Sequence, residues 1–94
     1  MSIEILAPGT AEADSAEIVV AAGAPVNVAL FRADGLKVDR NCTCKILKVD
    51  PNLVLNDTTW SLNRDNPTRI LVGAGTYVIR RPGNLTTATG ISTG

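Results

Sequence analysis

The chain has 94 residues, nine of them basic and nine acidic, with no histidine, a formal net charge of zero and a pI near 6.1. This length makes one modest domain, burying roughly 60–65% of its unfolded surface, and the charge balance excludes a global field that would attract nucleic acid or an anionic membrane. Hydrophobic residues make up 45% but aromatics only 3%, namely Phe31, Trp60 and Tyr77, so the core must be aliphatic and no stacking platform for single-stranded nucleic acid is present.

Residues 1–15 pair a short apolar group (Ile3, Ile5, Leu6) with a Pro-Gly break and an acidic stretch, and no base occurs before Arg32. Alternation of Ile3 and Ile5 fits an edge strand or an extended arm, which docks on a basic neighbour or stays solvated. The basic start and long apolar run of a secretory signal are missing, and nothing approaches the ~20 apolar residues that span a bilayer. Synthesis and first folding in a cytoplasm are therefore expected.

The run from Ala16 to Ala22 is short and β-branched, ended by Gly23-Ala24-Pro25. Val26 to Arg32 alternates, with Val26, Val28 and Leu30 on one face. Asp34-Gly35 is a hairpin signal, because both residues tolerate the left-handed backbone of tight turns. The next strand starts at Leu36 or at Cys42. In the latter, Cys42, Cys44 and Ile46 share a face, and the pattern slips at Ile46-Leu47 as a bulge would make it do. Asp50-Pro51-Asn52 is a turn, Leu53 to Leu55 is apolar, Asn56-Asp57 signals another turn, and Thr58 to Leu62 surrounds Trp60.

The stretch from Asn66 to Pro82 organises the rest. An apolar run (Ile70, Leu71, Val72) meets Gly73-Ala74-Gly75 and then an alternating run to Arg81. Tyr77 and Ile79 share one face; Thr76, Val78 and Arg80 share the other. A Gly-Thr-Tyr opening to a late strand fits a tyrosine corner, the phenol tied back to nearby backbone. After Pro82 the composition turns to Thr, Gly and Ser, which reads as a flexible tail or as a strand that orders only on pairing with another chain. Turn signals every eight to twelve residues or so point to a sandwich or barrel, and no segment sustains a helical period.

The chemistry-bearing residues are sparse. Cys42 and Cys44 cannot complete a tetrahedral zinc site alone, and a disulfide across one residue would be strained. They read as reduced core thiols or as ligands or bridges between subunits. Asp50, Asp57 and Asp65 fall in turns without the spacing of a calcium loop. No nucleophile has a histidine partner and no phosphate-cradling glycine loop occurs, so an enzyme, a cofactor and a metal are not expected. Arg80 and Arg81 are solvated strand ends or meet an acidic partner surface, such as the acidic arm of a neighbouring copy. Trp60 packs in the core or, if exposed, stacks on a sugar.

The order E-I-V-V-A-A-G-A-P-V-N-V-A-L-F…D-G, then L-N-R-D-N-P-T-R-I-L-V-G-A-G-T-Y-V-I-R-R-P, resembles small virion proteins of tailed bacteriophages over Ala16 to Pro82. In those a strand, turn and strand come first and a G-T-Y-like strand closes the domain. The resemblance implies a capsid decoration (cement) protein or a head or tail accessory protein. Its partner would be the major capsid protein or another virion protein, and its location the virion after synthesis in the host cytoplasm. It also implies a homo-oligomer, with a trimer as the expected form. The matching positions are structural: Gly35 in a turn, and Gly73, Gly75 and Tyr77 in a corner.

The expected fold is thus an all-β antiparallel sandwich of about seven strands, immunoglobulin-like or jelly-roll-like. It comprises an extended N-terminal arm (residues 1–15), the domain itself (16–82) and a flexible C-terminal tail (83–94). Trp60, Arg80 and Arg81 are the interface candidates. Two other functions fit the same sequence: a receptor- or carbohydrate-binding module of a tail fibre, and a small inhibitor-type binding domain.

Overall fold

A computed structural model describes residues 3–32, 34–35, 38, 42–50, 52, 55–85 and 87–93, with residues 57 and 59 as backbone only. Among these residues nine strands occur: β1 (Ile3–Gly9), β2 (Ala13–Asp14), β3 (Ile18–Val20), β4 (Val26–Phe31), β5 (Cys44–Val49), β6 (Leu55–Leu62), β7 (Thr68–Leu71), β8 (Gly75–Arg81) and β9 (Thr89–Thr93). They form two antiparallel sheets. One runs β1-β9-β4-β7; in the other β2 and β3 share one edge of β8, followed by β5 and β6. The fold is an all-β sandwich.

Alternation builds the core. Val28 and Leu30 of β4, Leu71 of β7 and Ile91 of β9 face Ile18 and Val20 of β3, Cys44 and Ile46 of β5, Leu62 of β6, and Tyr77 and Ile79 of β8. Burying each aliphatic side chain contributes about 1.5–3 kcal/mol, which is how a domain this poor in aromatics stays folded. Leu47 and Val78 are cross-strand neighbours on the outer face of the second sheet and are buried as well.

Both ends of the chain are strands of the sandwich. The N-terminal segment follows its edge-strand reading rather than the extended arm: β1 is an edge strand paired with β9, and β2 pairs with the end of β8. The C-terminal segment is not a tail, because β9 lies between β1 and β4. Thr89, Ile91 and Thr93 alternate with Gly90 and Ser92, and the strand needs no foreign chain because its own β1 and β4 supply both ladders.

Two turn signals also resolve differently. Asn56-Asp57 lies within β6, paired with Lys48 and Leu47 of β5, so the ladder overrides the local turn propensity. Asp34-Gly35 does turn, with the Gly35 amide donating to the Arg32 carbonyl and Gly35 at φ 76°, but β4 and β5 belong to different sheets, so it makes no hairpin. Leu36, Leu53 and Val54 lie outside the described residues. The slip read at Ile46-Leu47 is not a bulge of β5, which pairs with β8 without a shift and buries Ile46 and Leu47 on its two faces. The irregularity is in the β5·β6 register, which shifts between Lys45 and Leu47. The extra residues belong to β6, where the Thr58 hydroxyl donates to the Ile46 carbonyl at 2.7 Å.

Candidate functional site

The two long sides of the sandwich are built differently. On the side of β1, β2 and β3 the sheets are laced together. Ser15 sits where the pairing of β2 and β3 with β8 is offset. Its amide donates to the Ile79 carbonyl (2.9 Å) and its hydroxyl accepts from the Ile79 amide (3.0 Å). The Ala16 amide donates to the Ile5 carbonyl of β1, crossing between sheets.

Arg81 completes the lacing. By strand parity it lies on the Tyr77/Ile79 face, and it is only 5% exposed. Its Nε donates to the Ala11 carbonyl (2.8 Å), and Nη1 donates to those of Ala7 (2.8 Å) and Thr89 (2.9 Å). A buried guanidinium is tolerable only when its donors find partners, and here backbone carbonyls of β1, of the corner after it and of β9 take the hydrogen bonds of Nε and Nη1. Arg81 is therefore neither a solvated strand end nor an interface residue but a structural clamp.

Arg80 points the other way. Its guanidinium grips the Asp14 carboxylate of the same chain with two bonds, Nε at 2.8 Å and Nη2 at 3.2 Å. The acid offered by the N-terminal segment thus comes from within the molecule, not from a neighbour. The Arg80 hydrogen bonds and charge outweigh a small desolvation and hold the Asp14 carboxyl below the usual carboxylate range. Lys45 is the cross-strand partner of Arg80, a like-charge pairing that Asp14 offsets. Lys45 and Arg80, with Glu12, Thr43 and Pro82, line a cleft of about 270 Å³.

The glycine corner behaves as expected. The Tyr77 hydroxyl donates to the Gly73 carbonyl at 2.7 Å, while the ring is buried in the core. A Cβ on Gly73 would stand 3.0 Å from that hydroxyl oxygen, and Gly75 adopts φ 151°, a backbone state that L side chains rarely take. Cys42 and Cys44 are free thiols, fully buried, with sulfurs 3.7 Å apart. The hydrogen bond with Cys42 and then burial push the Cys44 thiol well up, opposed weakly by Arg81. Among the described residues no three His, Cys, Asp or Glu side chains gather as a metal site would require.

On the opposite side, between β6 and β7, a ring contact bridges the two sheets. Arg69 of β7 places its guanidinium 4.8 Å from the centroid of the Trp60 ring on β6. Trp60 is half-buried and packs against the core from this side. Beyond it, Ile70 and Val72 are 60% and 65% exposed, and Ile3 of β1 and Val19 of β3 are exposed elsewhere. Ile70 belongs to the apolar run read from the sequence, and alternation through Thr68–Leu71 places it outward. The meeting of Arg69 with Trp60 has no local signal, because it joins two strands of different sheets.

No protein-family model, curated protein or solved structure matches the chain. The fold and the geometry of its surface carry the functional argument.

Proposed function

We propose that the chain is a non-enzymatic structural protein of a phage virion, a capsid decoration protein that binds the outer surface of the head. The observation that carries this reading is the distribution of exposed aliphatic residues: Ile3 on β1, Val19 on β3, and Ile70 and Val72 at β7. They lie on separate strands of both sheets, so the domain offers more than one apolar contact. Contacts with a shell and with other copies would cover such side chains. The resemblance of Ala16 to Pro82 to small virion proteins points in the same direction. The charged side chains of Arg80 and Arg81 are spent within the domain, which leaves aliphatic contacts as the main adhesive surface.

The tail-fibre reading needs an open indole face for a sugar to stack on. Arg69 lies over Trp60, which weighs against it, and titration with saccharides is expected to leave tryptophan fluorescence unchanged.

The deciding experiment is co-sedimentation of the purified protein with bare capsids of the phage that encodes it. Saturable binding at a fixed number of copies per shell is expected. Failure to co-sediment at any protein concentration would reject the decoration reading.

A further inference from the structure

We infer that β7 is a homotypic docking strand, through which two copies of this chain pair about a twofold axis and join their four-stranded sheets into one. Among the described residues the sandwich has four sheet edges, and three are interrupted. β1 carries two register shifts and Pro8, and its Ile5 carbonyl is taken by Ala16. The β2/β3 edge is broken between Asp14 and Ile18. β6 is bulged opposite Ile46. Such irregularities are how sheets prevent unwanted edge pairing. Among the described residues β7 alone runs without a shift, pairing Thr68 through Leu71 with Ala29 through Val26.

The ladder also fixes which backbone groups are free. The Leu30 amide donates to the Pro67 carbonyl at 2.8 Å. In an antiparallel pair alternate residues exchange hydrogen bonds, so Arg69 and Leu71 bond to β4. The amides and carbonyls of Thr68 and Ile70, and by continuation Val72, face outward. These three are β-branched and exposed, without a charged side chain among them. Spaced evenly about Ile70, they are self-complementary. In a twofold pair Ile70 lies opposite Ile70 of the second copy and Thr68 opposite Val72. Every free backbone group then has a partner, and the exposed aliphatic side chains cover one another on the outer face. A twofold contact uses the same patch on both subunits, which is why a second copy fits this edge. This inference does not depend on the virion reading, since it concerns only the chain with itself.

The test combines solution mass with amide exchange. Light scattering across a concentration series is expected to show a single chain passing to a dimer. Ile70→Lys, which sets like charges opposite each other at the axis, is expected to weaken the dimer by about tenfold or more. In hydrogen exchange on the wild type, the Ile70 and Val72 amides are expected to be protected at high concentration and to lose protection on dilution. Arg69 and Leu71, bonded within the chain, stay protected throughout. A mass of one chain at every concentration would overturn the proposal. So would an oligomer in which Ile70 exchanges freely, or protection of Ile70 that arises only when capsids are added. Should Ile70→Lys fail to fold, the wild-type exchange pattern alone decides.

Discussion

The guanidinium of Arg81 lies so close to Gly9 that a Cβ at that glycine would stand 2.8 Å from Nη2 and 3.2 Å from Cζ. The corner where the chain leaves one sheet for the other is thus shaped around a buried cation. Glycine is needed at position 9 for space, not for backbone conformation.

Gly9→Ala is expected to destabilise the domain by about 1–3 kcal/mol, because the guanidinium must shift while its Nε and Nη1 are held by three backbone carbonyls. Arg81→Met should cost about 3 kcal/mol or more, since it strands the Ala7, Ala11 and Thr89 carbonyls. Arg81→Lys should recover only part of this, as one ammonium cannot reproduce the planar fork. Urea midpoints measure all three, and equal midpoints for wild type and Arg81→Lys would refute the clamp.

Tyr77→Phe keeps the ring and loses one hydrogen bond to Gly73. The expected loss is about 1 kcal/mol, which lowers the melting temperature of a domain this size by roughly 4–8 °C. A melting temperature unchanged within error would show that the corner contributes nothing.

Stability should fall somewhat at both ends of the pH scale, each time through a named group. The folded Asp14 carboxyl titrates below its ordinary value of 3.8. The contribution of the Arg80 pair is therefore present above that value and lost as pH falls below it. The pair is exposed, so the effect is small, and Asp14→Asn should flatten the acid limb of a stability–pH curve. Cys44 behaves oppositely, with its folded thiol held above the ordinary value of 9.0. Its contribution is full below that value and lost as pH rises beyond it, because the unfolded chain releases the proton first. Cys44→Ala should flatten the alkaline limb, and native protein at neutral pH should resist thiol reagents until it unfolds.

Removing residues 83–94 should abolish cooperative unfolding. The deletion takes away β9, which pairs with both β1 and β4 and fills the core with Ile91. Gly90→Ala is the milder form, since a Cβ there would stand 2.6 Å from Cζ of Phe31 and 2.9 Å from the Leu6 carbonyl oxygen. A truncated chain with dispersed amide resonances and a sharp melt would contradict this.

The sandwich, the core faces of β4, β5 and β8 and the tyrosine corner were legible because each rests on local alternation or local turn chemistry. What escaped was long-range. Thr89 to Thr93 has too few apolar residues to read as a strand alone, and its place is set by two partners far back in the chain. The burial of Arg81 was within reach, since parity puts it on the face of Tyr77 and Ile79, but charge and the neighbouring Arg80 suggested solvent. Asn56 and Asp57 read as a turn because the β5 ladder that holds them extended is invisible to a local window. The free edge of β7 follows only from knowing which residues bond to β4.

The position of β9 between β1 and β4 has a consequence for how the protein is made. One sheet lacks its middle until Thr93 has left the ribosome, so β1 waits unpaired until then. Closing it joins residues as far apart in sequence as Ile3 and Thr93, a slow, high-contact-order step. A chain stalled short of β9 therefore leaves this sheet open to chaperones and proteases.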